Sequence, residues 1–134
     1  MKANELMIGD WVMINPDLGE FYEFAGKPCQ VIGLRDIDGA IKIDFDNGKY
    51  FWTDGEDDVL PVPLTPKILE KNDIDTVFKT RYKGFYLEYH TEVGMIMLYV
   101  YNNGSFQSTG IGFKYVHELQ HALRLCEIGK TIEL

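Results

Sequence analysis

The alternation of hydrophobic and polar residues predicts short strands through the first half of the chain. Residues 41–45 alternate apolar and charged side chains, which is the period-2 pattern of a half-buried strand. The dipeptide Asn47-Gly48, a strong hairpin signal, separates this run from the β-prone segment 49–53. Two further β-prone runs, 11–14 and 29–34, are bounded by turn residues. Short strands in about 60 residues with turns between them predict a small SH3-like β-barrel.

The second half of the chain predicts an antiparallel sheet packed with a C-terminal helix. Thr65-Pro66 starts a short helix, since Thr is a good N-cap and Pro suits the first helical position, and Asn72 ends it. Residues 85–90 alternate, whereas 95–101 are apolar on both faces and predict a central strand. A weaker strand and a helix over about 115–127 follow. The predicted fold class is therefore α+β.

Proline content and charge divide the chain at residues 61–66. Three prolines in this stretch exclude a helix interior or a central strand. Residues 1–62 hold five basic and 13 acidic residues, so the whole net charge of −8 lies there, while 63–134 hold eight of each. We predict an acidic SH3-like barrel over 1–62 and an α+β half over 63–134. Each half is marginal in size alone, so we expect the two to pack as one unit.

Composition excludes several classes of protein. The 134 residues are 46% hydrophobic and 13% aromatic, which is typical of a globular domain. No apolar run approaches the roughly 20 residues of a membrane span, and the N-terminus lacks the apolar stretch of a signal peptide. Cys29 and Cys126 make no disulfide framework and are expected to be buried thiols, which favours a cytoplasmic location. The acidic balance argues against a duplex nucleic acid as ligand.

One motif suggests catalysis. The predicted C-terminal helix contains His117-Glu118-Leu119-Gln120-His121, which fits the H-E-x-x-H pattern of zinc peptidases. In that pattern two histidines on one helix face bind zinc, and the glutamate is the general base for a zinc-bound water. The alternative function is therefore a zinc-dependent hydrolase, with His117 and His121 as ligands and Glu118 as base.

Spacing and helix geometry argue against this alternative. Glu127 has the spacing of a compact third ligand, but Arg124 stands where a glycine would turn the chain back. On a continuing helix Glu127 points roughly 120° away from His121, so His90 is the best third candidate. The motif histidines lie nearly opposite the apolar stripe, and we expect them to face solvent or the other half of the chain. That stripe comprises Tyr115, Leu119, Ala122, Leu123 and Cys126. The leading prediction therefore has no cofactor and no catalytic residue.

The acidic first half carries the predicted recognition surface. Trp52 stands beside a run of carboxylates formed by Asp54, Glu56, Asp57 and Asp58. This run lacks the ligand spacing of an EF-hand, which disfavours calcium. The run is then a solvated acidic turn, or it contacts a protein partner, with a basic one as an option. The sequence thus predicts a non-enzymatic protein-binding module. Mimicry of nucleic acid, and a homo-oligomer or structural role suggested by an exposed edge strand in the second half, stay open.

Three blocks of sequence carry a resemblance to a known family. They are 5–12 (ELMIGDWV), 61–72 (PVPLTPKILEKN) and 114–121 (KYVHELQH), in that order. The chain resembles a family of small uncharacterised proteins encoded in Bacteroidetes genomes, often within prophages or mobile elements. The resemblance implies a cytoplasmic protein with no established activity and supplies no catalytic residues. The last block of the family often reads Tyr-x-His-x-Leu-Gln-Asn, which implies that His121 completes the zinc motif by coincidence.

Overall fold

The chain changes from one structural unit to the next within its proline-rich segment. In the computed structural model, unit 1 is Met1–Val62 and unit 2 is Pro63–Leu134. The structure describes residues 1–17, 26–35, 37–46, 48–53, 56–73, 77–79, 84–90, 92–102, 104–125, 129 and 131–134. Within these ranges lie two antiparallel sheets and two α-helices, so the fold is mixed α and β. No helix in these ranges is long and apolar enough to cross a membrane.

Four of the five strands of unit 1 coincide with predicted β-prone runs, and the strand at 59–61 was not predicted. Its strands are β1 (Trp11–Ile14), β2 (Pro28–Leu34), β3 (Ile41–Asp46), β4 (Lys49–Trp52) and β5 (Val59–Pro61). They form one antiparallel sheet in the order β4-β3-β2-β1-β5, and a one-turn 3-10 helix, Glu56–Asp58, precedes β5. Pro61 ends an edge strand, where a missing N–H costs little pairing.

The predicted closed barrel is not confirmed. Among the described residues, β4 and β5 are the two ends of the sheet order, and no pairing joins them. Closure needs the two edge strands to meet, and β4 and β5 have only four and three residues. The described part of unit 1 is therefore an open five-stranded antiparallel sheet.

Alternate side chains of β1, β2 and β3 form the core of unit 1. Val12, Ile14, Val31, Ile41 and Ile43 are all at most 1% exposed, and Leu6, Cys29 and Val59 join the same cluster. Each fully buried aliphatic side chain contributes about 1.5–3 kcal/mol relative to an exposed one. The polar residues that alternate with these side chains, such as Lys42 and Asp44, lie on the opposite side of the sheet.

Unit 2 contains the second sheet and both helices. Its elements are α1 (Pro66–Lys71), β6 (Val77–Lys79), β7 (Gly84–His90), β8 (Met95–Asn102), β9 (Ser105–Phe113) and α2 (Val116–Leu125). The antiparallel order is β6-β7-β8-β9, so β8 is interior, as its two apolar faces predict. β6 is the one strand of this sheet that the alternation did not indicate, because three residues are too short for a period to register.

The register between β7 and β8 gives the second sheet two different faces. Leu87 opposes Leu98 and Tyr89 opposes Ile96, and Leu87, Leu98 and Ile96 are buried. Cavities lined jointly by this face and by α1 or α2 place both helices over it. The other face carries Tyr86 opposite Tyr99, because each of these residues is the neighbour of a buried leucine along its strand. The sheet is thus covered by helices on its aliphatic face.

Asn72 ties the end of α1 to the C-terminal segment of unit 2. The helix begins as predicted, because Thr65 Oγ1 accepts a hydrogen bond from the backbone N–H of Ile68. At its other end, Asn72 Nδ2 donates to the carbonyl oxygens of Ile68 (2.7 Å) and Glu133 (2.8 Å). Asn72 Oδ1 accepts from the backbone N–H of Glu133 at 2.8 Å. The side chain is only 6% exposed, so its polar atoms depend on these partners.

We expect Asn72→Ala to lower the free energy of unfolding by about 2–4 kcal/mol. The reason is that three hydrogen bonds are lost and the carbonyl of Glu133 loses its donor in a partly buried setting. Urea denaturation measures the change. Thr65→Ala, which removes only the cap at the other end of α1, is the matched control and should cost about 1 kcal/mol. Equal losses in the two variants would contradict the role assigned to Asn72.

Candidate functional site

Glu118 of the H-E-x-x-H motif caps the helix that carries it. Its Oε2 accepts hydrogen bonds from the backbone N–H groups of Lys114 (2.8 Å) and Tyr115 (3.1 Å). These residues precede α2, and Glu118 is the third residue of the helix, so the side chain takes the position of a capping-box glutamate. A carboxylate in the first turn also interacts favourably with the helix dipole. The proposed general base therefore has a structural task.

The motif histidines do not share one solvated face. His117 is buried (8% exposed), and its ring stacks on Tyr115 at 6.0 Å between centroids, whereas His121 is half-buried. Of the two settings expected for His117, solvent is therefore wrong, because His117 belongs to the buried face of α2. That face comprises Val116, His117, Leu119, Gln120 and Leu123. It is rotated from the predicted apolar stripe because burial includes two polar residues, which a hydrophobic pattern cannot indicate.

The described residues do not form a zinc site around the motif. Glu118 and His121 line a cavity of about 480 Å³ between α2 and β9, whose other lining residues are apolar. In the described part of the chain, no group of three or more His, Cys, Asp or Glu side chains is placed to hold a metal ion. Glu127, one candidate for the third ligand, lies outside the described residues. The other candidate, His90, lies on β7, where its Nε2 is at hydrogen-bond distance from Tyr99 Oη. The described residues therefore supply no third zinc ligand beside His117 and His121.

Trp52, the aromatic residue of the predicted acidic surface, lies among cationic side chains. The guanidinium of Arg35 sits 4.7 Å from the centroid of the Trp52 ring, and Lys42 Nζ lies 5.9 Å from it. The same Lys42 Nζ is 3.7 Å from the Tyr50 ring. Arg35 in turn forms a bidentate ion pair with Asp38, which lowers the pKa of that carboxyl group. Cation–π contacts inside unit 1 thus occupy the ring that was predicted to meet a partner.

The acidic residues predicted beside Trp52 fall into three groups. Asp54 lies outside the described residues, and Glu56 is described only through its backbone in the 3-10 helix. The backbone carbonyl of Asp57 accepts a hydrogen bond from Asn15 Nδ2 at 2.7 Å, while that of Asp58 accepts from the Asn15 N–H at 3.0 Å. The backbone of this segment therefore anchors the end of β1. Asp57 is exposed and Asp58 is half-buried.

A cluster of aromatic rings lies on the sheet face that the helices do not cover. We call it the aromatic face: Tyr86 on β7, Tyr99 and Tyr101 on β8, and Phe106 on β9. Phe106 lies 5.0 Å from Tyr86 and 4.9 Å from Tyr101, between ring centroids, in tilted contacts. The three tyrosines are half-buried and Phe106 is 50% exposed. This face therefore combines a packed aromatic cluster with accessible ring surface.

Polar groups border the aromatic face at the end of β7. His90 Nε2 lies 3.1 Å from Tyr99 Oη, at hydrogen-bond distance, and the two rings stack at 6.4 Å. Glu88 Oε2 is 3.6 Å from the same His90 nitrogen. At the opposite end, Gly84 lets the Tyr101 ring lie across the strand, since a Cβ there would come within 3.1 Å of Tyr101 Cδ1. The ring positions are thus constrained from both ends.

A groove runs between α1 and β7. We call it the α1–β7 groove; it has a volume of about 540 Å³. Leu69, Leu87 and Ile96 line it and are buried, while the carboxylates of Glu70, Asp73 and Glu88 belong to exposed residues of its lining. Tyr86 and Glu88 also belong to the strand edge beside the aromatic face. Their side chains alternate with Leu87 and point to the aromatic face, so the groove and the aromatic face lie on opposite sides of the sheet.

Comparison of the chain with known protein families, with curated proteins and with solved structures found no match. The geometry of the described residues is therefore the source for a function. It brings together residues that the sequence did not single out as a site. The signal was available in the alternation of β7 and β8, which places Tyr86, Tyr99 and Tyr101 opposite the aliphatic positions.

The outermost strand β9 is an exposed edge whose bulge limits pairing. Most of its residues are exposed. An exposed edge strand is the feature that would suggest a structural role or a homo-oligomer. Its register with β8 is interrupted between Met97 and Tyr99. There the N–H groups of Gly110 and Ile111 donate to the hydroxyls of Ser108 and Thr109. A bulge with internally bonded amides is a feature that disfavours pairing with another strand.

We expect Glu118→Ala to lower the free energy of unfolding by about 1–2 kcal/mol, since two backbone N–H groups lose their acceptor. Glu118→Gln retains an oxygen acceptor, so its free energy of unfolding should fall by less than half of that amount. Urea denaturation with and without added zinc measures both variants. An unfolding free energy of Glu118→Ala equal to that of the wild type would contradict the capping role. So would a stabilisation by zinc that is seen in the wild type and not in the variants.

Burial raises the pKa of the Cys29 thiol to about 12. In the unfolded chain the thiol ionises near its ordinary pKa. The contribution of this group to the free energy of unfolding is therefore fully present below about pH 9 and is lost as the pH rises towards 12. We expect the stability difference between wild type and Cys29→Ala to narrow by about 1.4 kcal/mol from about pH 8 to about pH 10. Denaturant titrations at both pH values measure it. Cys126, outside the described residues, is present in both proteins and cancels.

Proposed function

We propose that this protein is a non-enzymatic protein-binding module whose recognition surface is the aromatic face of unit 2. The observation that carries the proposal is the ring cluster itself, with Phe106 half exposed between Tyr86 and Tyr101. A solvated face of an antiparallel sheet ordinarily carries polar side chains. Tyrosine, phenylalanine and methionine are instead enriched in the buried core of protein interfaces.

Several properties of the aromatic face suit a protein partner. Aromatic rings supply a large contact area at a low cost in side-chain entropy, and their mutual packing holds the tyrosines before a partner arrives. Met95 and Met97 lie on the same face, opposite His90 and Glu88, and are half-buried. Methionine adapts to irregular partner surfaces. The face therefore offers rigid anchors beside adaptable side chains.

Charge favours a protein over a nucleic acid as the partner. Stacked aromatic rings on a sheet can also bind single-stranded bases, but such sites track the phosphates with Lys and Arg. The strands β7, β8 and β9 contain no Lys or Arg, and Glu88 contributes a negative charge. The net charge of the chain is −8, which repels a polyanion.

The proposal also includes the SH3-like architecture, the acidic surface, the location and the origin that the sequence predicts. In an SH3-like barrel the first strand lies between the second and the last, and the order β4-β3-β2-β1-β5 with a 3-10 turn before β5 supports that architecture for unit 1. The acidic surface around Trp52 stays a second candidate for partner contact. A cytoplasmic location and an origin in Bacteroidetes prophages or mobile elements stay predictions.

Selection from a random peptide library displayed on phage tests the proposal. Phage enriched on the wild-type protein should be retained at least about tenfold less well by Phe106→Ser, because an interface anchor is lost. Ile37→Ser is the matched control, since Ile37 is an apolar residue that is 90% exposed in unit 1. Thermal melting of each variant establishes that it is folded.

Two results would overturn the proposal. One is an absence of enrichment over the bare support, which would mean that the protein selects no peptide. The other is equal retention by Phe106→Ser and Ile37→Ser, which would place the contact away from the aromatic face.

A further inference from the structure

The cavity between α2 and β9 lies on the helix-covered face of the second sheet. A Cβ on Gly112 would come within 2.8 Å of Met97 Sδ, so Gly112 faces the side of the sheet that carries the tyrosines. Its neighbours Ile111 and Phe113 therefore point the opposite way, as Leu98 of β8 does, and all three line the cavity. We call this space the α2–β9 cavity. Its volume of about 480 Å³ lies within the range of sites that hold a small ligand.

A single row of side chains along α2 forms the other wall of this cavity. The row comprises Glu118, His121, Ala122 and Leu125. Positions i, i+3, i+4 and i+7 lie on one face of a helix, so these four side chains follow one another along the cavity. The two polar residues come first and the two apolar residues follow. The α2–β9 cavity therefore has a polar end and an apolar end.

Part of the apolar lining is in contact with water. Leu98 and Phe113 are at most 8% exposed and form the floor of the cavity. On either side of it, Ile111 of β9 is 49% exposed and Leu125 of α2 is 85% exposed. A ligand that covers these side chains gains free energy, because it removes apolar surface from water.

Glu118 supplies the charge at the polar end. Both of its capping hydrogen bonds use Oε2, and Oε1 accepts no hydrogen bond from the described residues. The described lining of the cavity includes no Lys or Arg, and the chain as a whole carries a net charge of −8. A carboxylate beside low-dielectric walls attracts a cation and repels an anion more strongly than it would in open water. The polar end therefore favours a cationic head group.

We propose that the α2–β9 cavity binds a small amphiphile with an apolar body and a protonated amine as its head group. The body covers Leu98, Ile111 and Leu125, and the ammonium group donates a hydrogen bond to Glu118. His121 lies about one turn further along the same row, where a neutral imidazole nitrogen can accept a second hydrogen bond from the amine. The cavity and the aromatic face lie on opposite sides of the sheet, so this inference goes beyond the proposed function and does not depend on it.

Three octyl compounds that differ only in the head group test the inference: octylamine, octanol and octanoate. Isothermal titration calorimetry of the full chain at about pH 8 compares a cation, a neutral molecule and an anion. We expect octylamine to bind at least about tenfold more tightly than octanoate, with octanol between them. Octylamine should also bind more tightly than hexylamine, because each buried methylene group contributes about fourfold in affinity.

Two pairs of variants locate the contacts. Glu118→Gln keeps an oxygen acceptor for the helix cap and should weaken octylamine by about fivefold while octanol is unaffected. Its matched control is Glu92→Gln, which removes the same charge from an exposed residue in the turn between β7 and β8. Ile111→Ser should weaken all three octyl compounds by at least about threefold, because part of the apolar wall is lost. Its matched control is Val93→Ser, since Val93 is 58% exposed in that same turn.

Methyl resonances in nuclear magnetic resonance spectra report where the amine binds. Those of Leu98, Ile111 and Leu125 should shift when octylamine is added, whereas the ring resonances of Phe106 should not. Shifts confined to other residues would overturn the inference. So would a peptide selected on the wild-type protein that displaces octylamine from these methyl groups, since a protein segment would then be the occupant.

The titrations can overturn the inference as well. Equal binding of octylamine and octanoate would remove the preference for a cation. Equal weakening by Glu118→Gln and Glu92→Gln would reduce the preference to net charge. Either result leaves the aromatic face untouched, because retention of phage by Phe106→Ser tests that face separately.

Discussion

The pairing of β7 with β8 is the constraint on which the rest of unit 2 depends. Seven consecutive residue pairs hold these strands in one register, from Gly84↔Tyr101 to His90↔Met95. Because side chains alternate, a slip by one residue would move the aliphatic positions out of the core and bring the tyrosines into it. The same register therefore determines what the helices cover and what the aromatic face presents. The folding of unit 2 and the recognition that we propose therefore depend on the same pairing.

The two units use aromatic residues in different ways. In unit 1, Trp52 and Tyr50 lie beside Arg35 and Lys42, so the ring faces interact with cations of the same unit. In unit 2, the rings interact mainly with each other and leave part of their surface to solvent. Ring–ring packing has no charge requirement, whereas a cation–π pair uses the face that a partner cation would need. This difference favours unit 2 as the recognition surface.

The terminal helix illustrates how one residue type serves structure or chemistry according to its position. Glu118 is the third residue of α2, and its carboxylate accepts two hydrogen bonds from the backbone just before the helix. A glutamate at that position stabilises the helix start whatever the identity of residues 117 and 121. The match to a zinc motif thus follows from a capping residue between two histidines, of which His117 is buried.

The sequence by itself determined most of the strands, both ends of α1, the break within the proline-rich segment, and the mixed α and β class, but it did not indicate β5 or β6. These follow from local rules: strand alternation, the Thr65 cap, the Asn72 stop and proline's lack of an N–H group. Only the tertiary structure decided that the first sheet is open in its described part, that Asn72 reaches Glu133, and which face of α2 is buried. It also decided that Leu69 of α1 and Leu87 of β7 line one groove. Such contacts join residues far apart in the chain, and their energies depend on distances that no local pattern encodes.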